Sequence, residues 1–324
     1  MLISIILPVY NVSAYIERSL CSALNQTYPF IEIILVNDGS TDDTMNIVNQ
    51  ILHTHPRSAA VKVISHDKNR GPSAGRNTGL KYASGKYVFF LDNDDSIPAD
   101  CIETLATAAH SFDPHCIVGD YTVSHPDLFR KITLKMKEGL YTDPNAIMEH
   151  YLQRDIYIMV WNKLYRRDFI LENNLFFKEG LLHEDELWSF QLFSILPSLY
   201  IVCKPTYLYE IRQNSIMGTL SDKTIEHRMT VTKEMVEWIK QHPALQNNSD
   251  LFYFFEDWKN KLFRTLLRFK TINHYSSYIL LRELIFTSGG RYILKAGRFK
   301  NRLRTIHYLF KPSIGFRIQR MLLK

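Results

Sequence analysis

Several things are scarce in these 324 residues, and each scarcity removes a class of protein. There are only four cysteines, Cys21, Cys101, Cys116 and Cys203, with no Cys-x-x-Cys pair and no histidine at zinc-ligand spacing, which excludes a disulfide scaffold or a zinc module. They read as reduced, mostly buried thiols of a cytosolic protein. No stretch of about 18 residues stays apolar without charge, so no membrane-spanning helix is expected. The opening apolar run is broken by Pro8 and lacks a basic leader or a small-residue cleavage site, so it reads as a strand rather than a signal peptide. Internal repeats and low-complexity tracts are absent.

Acidic residues are missing altogether from residues 289–324, which hold ten Lys/Arg, so the net charge of +6 becomes about −4 (+6 minus +10) for everything before them. A folded body without a basic surface is not expected to bind nucleic acid. The basic stretch 291–324 interleaves its cations with Tyr292, Leu294, Phe299, Phe310 and Phe316, the make-up of an interfacial helix that an anionic membrane attracts. Packing of those aromatics onto the protein is the competing expectation.

What is present is an ordinary globular composition, 46% apolar and 22% charged, in a length that allows one large domain or one and a half. β-Branched runs at 2–9, 31–37, 61–65, 87–91 and 116–121 alternate with helical segments at 14–23, 43–52, 74–82 and 99–109. Ser13, Thr41 or Asp42, and Ser73 stand ready as N-caps. This rhythm predicts a doubly wound α/β layer, a Rossmann-like, mostly parallel sheet with helices on both faces. Ligands then bind beyond the carboxyl ends of the strands. From about residue 123 the pattern shifts to an antiparallel strand at 131–141, a helix at 145–153, an aromatic-rich segment at 157–165, a helix at 184–195 and strands at 200–203 and 207–211. After 221 the chain reads as helical. The expected division is 1–220, with a nucleotide-binding half (1–122) and an acceptor half (123–220), followed by a helical, basic region at 221–324.

The polar motifs fall at strand ends. Strand one exits through Pro8-Val9-Tyr10-Asn11, where Tyr10 offers a ring for a base or is an ordinary exposed aromatic. Strand two runs into Asp38-Gly39-Ser40-Thr41-Asp42, in which Asp38 either accepts from a nucleobase or merely makes a turn. An acid there also suits a dinucleotide enzyme, but the first turn contains no glycine, and without one the backbone cannot approach a pyrophosphate. Strand four delivers Asp92-Asn93-Asp94-Asp95. Three carboxylates in four residues repel one another unless a cation compensates, and Mg²⁺ or Mn²⁺ uses one or two such groups plus diphosphate oxygens. Asp92, Asp94 and Asp95 are therefore the candidate metal ligands. Gly71 opens a glycine-spaced turn into a helix bearing Arg76 and Asn77, with Arg76 facing phosphate, base or plain solvent.

Taken in order, Pro8–Asn11, Asn37–Asp42, Gly71–Gly79 and Leu91–Asp95 resemble the motifs of family 2 glycosyltransferases. The resemblance is close over 4–96 and looser as far as 216. It departs where Gly75 replaces a more usual Ala and Asn93 a more usual Ser. It implies a GT-A fold, an inverting mechanism, a divalent metal and a nucleotide diphosphate sugar as donor. Asp38 then contacts the base, Asp94 the ribose, and Asp95 the metal. A Glu-Asp pair like Glu184-Asp185 supplies the base from its aspartate, leaving Glu184 to orient or bind acceptor; both open a helix whose dipole favours ionised carboxylates. Segments around Trp161, Lys163 and Arg212 look like parts of capsule and lipopolysaccharide members, with Trp161 offered to a sugar and the two cations to diphosphate. The implied setting is bacterial surface-polysaccharide synthesis on a saccharide or lipid-linked saccharide acceptor, at the cytoplasmic face of a membrane. The alternative is a catalytically silent nucleotide-sugar binding module whose tail recruits membrane or partners.

Overall fold

A computed structural model describes residues 1–127, 134–211, 221–269, 273–290 and 305–322. The chain divides into two compact units, Met1–Ser215 and Ile216–Lys324.

The first unit is built on strands β1 (Ile3–Val9), β2 (Ile31–Asn37), β3 (Val61–Ser65), β4 (Tyr87–Phe90), β5 (Cys116–Val123), β6 (Gly139–Tyr141), β7 (Lys163–Arg166) and β8 (Leu199–Tyr209). They form one sheet in the order β3-β2-β1-β4-β7-β5-β8-β6. The first four are mutually parallel. Because β7 is antiparallel to both β4 and β5, β5 again runs with β4, and β8 is parallel to β5. Only β7 and β6 run against the majority. All seven residues of β1 are buried, as an apolar strand covered on both faces must be.

Helices α1 (Ile16–Leu24), α2 (Thr44–Thr54), α3 (Pro72–Tyr82) and α4 (Cys101–Phe112) link the parallel strands. α3 lies on the face bearing Ile6 and Pro8, so close that a Cβ on Gly79 would fall 2.2 Å from Ile6 Cγ2 and one on Gly75 2.8 Å from Pro8 Cβ. The opposite face carries Tyr87, whose hydroxyl donates to Asp113 at the end of α4 (3.0 Å). Gly75 and Gly79 thus serve helix-on-sheet contact. Further on come α5 (Pro144–Leu152), α6 (Arg167–Glu172) and α7 (Glu184–Ile195).

The structure changes several local expectations. Ser73 does not cap α3: Gly71, at φ 89°, is the cap, Pro72 starts the helix, and Ser73 is buried inside it. Tyr15 rather than Ser13 precedes α1. The strands expected at 200–203 and 207–211 are one strand, β8, with register shifts beside Pro205. Proline is tolerated there because β6 pairs only with the first residues of β8, leaving the Pro205 edge without a ladder partner to supply among the described residues. Of the strand expected within 131–141, only Gly139–Tyr141 forms, and 128–133 lie outside the described residues. The four cysteines are free; Cys101 and Cys116 are buried, Cys21 is half-buried and Cys203 exposed. Burial pushes the Cys116 thiol up to about 12.

The second unit is helical: α8 (Asp222–Gln241), α9 (Ser249–Leu266), α10 (His274–Thr287) and α11 (Pro312–Leu322). Ser221, Asn248 and Asn273 cap the first three through their side chains. Ile225, Leu262, Phe263, Leu266, Tyr278 and Leu281 form its core, with Phe316 of α11 packed against them. Beside that core, Lys259 is wholly buried and donates to Glu256 Oε1 at 2.9 Å, while Tyr308 donates to Glu256 Oε2 at 2.8 Å. Among the described residues, no helix is long and apolar enough to cross a membrane.

Candidate active site

The ends of β1, β2 and β4 and the start of α7 converge. After β4 the chain turns through Asp92-Asn93-Asp94-Asp95, closed by the Asp95 amide donating to the Asp92 carbonyl at 3.2 Å. Asn93 Nδ2 donates to the Pro8 carbonyl at 2.8 Å and so ties this turn to the end of β1. Tyr10, two residues on, is 39% exposed at the rim and remains available for stacking. Asn11 is spent otherwise: its side-chain oxygen accepts from the Thr41 amide at 2.8 Å and pins the loop after β2.

Asp38 is buried at the tip of β2. It accepts from the amides of Arg70 (2.9 Å) and Gly71 (2.7 Å) and meets His66 Nδ1 at 2.6 Å. The other ring nitrogen of His66 reaches Thr78 Oγ1 at 2.9 Å. Asp38 therefore organises the loop that leads into α3, with Gly71 held through its backbone amide.

Arg76 is the hub. Only 5% exposed, it donates through Nη2 to Asp92 Oδ1 at 3.0 Å and through Nη1 to Glu184 Oε1 at 2.7 Å, and Nη1 lies 3.7 Å from Asp185 Oδ1. Burial alone would discourage its charge, but Asp92, Asp185 and Glu184 outweigh burial and strengthen it. The arginine expected to face phosphate, base or solvent is thus engaged with carboxylates from both halves of the unit. Asp185 Oδ1 is buried and has no hydrogen-bond partner. Burial pushes the Asp185 carboxyl up to about 7, with Glu184 and Asp92 adding to the rise and Arg76 and Lys163 opposing it.

The start of α7 is set from α3. Asn77 Nδ2 donates to the Phe177 carbonyl and the Phe177 amide donates to Asn77 Oδ1, both at 2.8 Å. The Phe177 ring lies 5.4 Å from the Arg76 guanidinium carbon and stacks on Trp188 of α7 at 4.8 Å.

Other expected site residues lie elsewhere. Asp95 is fully buried; its Oδ2 accepts from the Tyr207 hydroxyl (2.7 Å) and its Oδ1 from the Glu210 amide (2.8 Å), so both oxygens are engaged inside the protein. Burial, and then Asp92 and Asp94, push its carboxyl well above the usual range. Trp161 is 2% exposed and stacks on Tyr207 at 4.5 Å and Tyr209 at 5.5 Å, so it packs the core rather than facing a sugar. Lys163 is wholly buried, donates to the Met159 carbonyl and lies 3.6 Å above the Tyr157 ring; burial brings it down to about 7, and it does not face the cleft as a diphosphate cation. Arg212 lies outside the described residues. Sequence reasoning missed Tyr207, Glu210 and Arg18. The signal available was β8 itself, since a strand tyrosine that becomes buried needs a partner for its hydroxyl.

Among the described residues, no three His, Cys, Asp or Glu side chains come together as a self-sufficient metal cage. Asp92 and Asp94 nevertheless suit an ion that takes one or two protein carboxylates and completes its shell with diphosphate oxygens and water. Asp92 is 29% exposed and already faces a cation, Arg76, at 3.0 Å.

A mostly parallel sheet with acids at its strand ends and a carboxylate pair opening a later helix is the arrangement of a GT-A glycosyltransferase. The family model described as Glycosyl transferase family 2 matches residues 4–173, and the chain belongs to that family. It is 31% identical over 252 residues to the Bacillus subtilis glycosyltransferase EpsH, covering 75% of this chain and 71% of EpsH. To glycosyltransferase GlyA of Streptococcus pneumoniae it is 30% identical over 258 residues, 75% of this chain but only 36% of GlyA. Among solved structures, S. aureus TarS 1-349 in complex with UDP-GlcNAc superposes with a TM-score of 0.70 at 20% identity, covering 100% of this chain and 90% of that one. This likeness shows the fold.

Proposed function

We propose that the protein is an inverting, metal-dependent glycosyltransferase that moves a sugar from a UDP-linked donor to an acceptor hydroxyl, a hexose or N-acetylhexosamine in bacterial surface polysaccharide or lipopolysaccharide. The observation that carries this reading is Arg76 joining Asp92, at the end of β4, to Glu184 and Asp185, at the start of α7. One guanidinium thereby sets the donor-side acid and the candidate base a few ångströms apart. A UDP-sugar is favoured because TarS, which shares the fold, is described with UDP-GlcNAc.

Asp92 and Asp94 would hold Mn²⁺ or Mg²⁺ together with the donor diphosphate, and the ion would neutralise charge on the departing diphosphate. Tyr10 would stack on the base, and Asp94 would also contact the ribose. Asp38 shapes the base pocket through the loop it anchors. Asp185 accepts the acceptor hydroxyl proton; the freed oxygen bonds to the anomeric carbon from the side opposite the diphosphate, the carbon–oxygen bond to the diphosphate breaks, and UDP leaves with that electron pair. Glu184 holds Arg76 against Asp92 and keeps Asp185 in line. A carboxyl poised near neutrality suits a general base.

In the second unit Leu309, Phe310, Ile314, Met321 and Leu322 are exposed beside the exposed cations Lys311, Arg317 and Arg320. That mixture suits the interface of an anionic membrane and a peripheral, cytoplasmic-face enzyme acting on a lipid-linked acceptor. A panel of UDP- and GDP-sugars with Mn²⁺, read by release of the nucleotide, tests the donor. Release from none of them, with UDP still bound, would leave the silent binding module as the better description.

A further inference from the structure

Four hydrogen bonds hold the backbone and the inner acid of the Asp92–Asp95 turn, and none of the four uses the Asp92 or Asp94 carboxylate. The Asp92 amide donates to the Tyr207 hydroxyl oxygen at 3.2 Å, and that hydroxyl donates to Asp95 Oδ2 at 2.7 Å. Asp95 Oδ1 takes the Glu210 amide at 2.8 Å. From α1, Arg18 reaches the Asp94 carbonyl at 2.6 Å and pairs with Glu210 at 2.7 Å. Tyr207 itself has little freedom to move, because Trp161 stacks on it at 4.5 Å with the rings only 7° from parallel. The chain reverses sharply in this turn, and a ligand set drawn from it is only as accurate as the backbone beneath.

We infer that Tyr207 and Asp95 form a buried clamp that fixes the backbone of the Asp92–Asp94 turn, with Asp95 a positioning residue and not an ion ligand. The inference rests on the proposed metal and donor roles of Asp92 and Asp94. Two acids adjacent in sequence thereby do different work. Asp94 is assigned to the ion, while Asp95 turns inward to the end of β8. Two hydrogen bonds, one from a hydroxyl and one from an amide, offset part of the cost of burying the Asp95 carboxylate. Through Glu210, whose amide holds Asp95 and whose carboxylate holds Arg18, the end of β8 is locked to the same turn.

The distinguishing measurement is calorimetric affinity for UDP with and without Mn²⁺ in the full chain, alongside the melting temperature. Tyr207→Phe removes one hydroxyl and keeps the ring stack; it is expected to weaken Mn²⁺-dependent binding roughly tenfold, to leave metal-free UDP binding in place, and to regain affinity as Mn²⁺ is raised. Asp95→Asn can still accept from one donor and is expected to fall in the same range, whereas Asp94→Asn removes a ligand and abolishes the Mn²⁺ response. Should Asp95→Asn lose that response as fully as Asp94→Asn, Asp95 is a ligand and the clamp is wrong. An unchanged Mn²⁺ response in both Tyr207→Phe and Asp95→Asn would likewise overturn it. If Asp92→Asn and Asp94→Asn also respond to Mn²⁺ as the parent does, the underlying metal reading fails and takes the clamp with it.

Discussion

Asp185 and Arg76 define what single side chains contribute. Asp185→Asn is isosteric and removes only the proton acceptor, so UDP affinity should be retained while transfer falls by two to four orders of magnitude, roughly the contribution of general base catalysis. Parallel calorimetry and turnover assays check this, and equal loss of both would make Asp185 structural. The pH dependence follows from its raised pKa. With the carboxyl pushed up to about 7, the base is protonated and inactive below that pH, so kcat should climb as pH rises through about 7 and level off above it. Arg76→Lys keeps the charge but cannot span Asp92 and Glu184 together, and it should shift this profile as well as lower the rate. The carboxylates stand out in the sequence by their place at strand ends, but that place did not tell which of them, as Asp38 and Asp95 do, would hold a loop or a turn. Arg76 was legible as a residue but not as a hub, since its partners lie 16 and 108 positions away. Trp161 and Lys163 misled because a large aromatic or a lysine looks the same in sequence whether it lines a cleft or, as here, fills a core.

At the scale of elements, the parallel strands β1–β5 and their helices could be read from alternation of β-branched runs with amphipathic segments. The antiparallel insertion of β7 between β4 and β5 could not, because four residues of Lys163–Arg166 carry no directional signal; direction comes from the long connection that returns them. Pro205 made β8 look like two strands, when its edge merely lacks, among the described residues, a neighbour to supply. Contact between α3 and β1 gives the sharpest test of the helix packing. Gly79→Ala would place a methyl 2.2 Å from Ile6 Cγ2, and overpacking of this kind costs about 1–3 kcal/mol, to be read as a lowered denaturant midpoint at unchanged m-value. No loss of stability would mean that α3 can lift from the sheet.

For the whole molecule, composition foretold a helical, basic C-terminal stretch, but not the polar knot within its core. Lys259 is wholly buried against Glu256, and Glu256→Gln would remove the negative charge from that buried pair, a loss of about 3–5 kcal/mol. A lower melting temperature with UDP affinity preserved is the expected pattern. On the exterior of the same unit, Arg317→Glu with Arg320→Glu should weaken sedimentation with phosphatidylglycerol vesicles at least tenfold, at about 1 kcal/mol per cation. Unchanged sedimentation would remove the membrane assignment.

Asn77 has a consequence that spans the first unit. By giving and taking one hydrogen bond with Phe177, its side-chain amide imitates a passing strand one residue long, and it does so across 100 positions of sequence. The stretch before α7 is therefore spliced onto α3 by a joint two atoms wide, beside the arginine that spans both sets of acids. An aspartate in that place would offer an acceptor to the Phe177 carbonyl, forcing the joint open, and the two halves of the catalytic machinery would lose their common ruler without any reacting group having been altered.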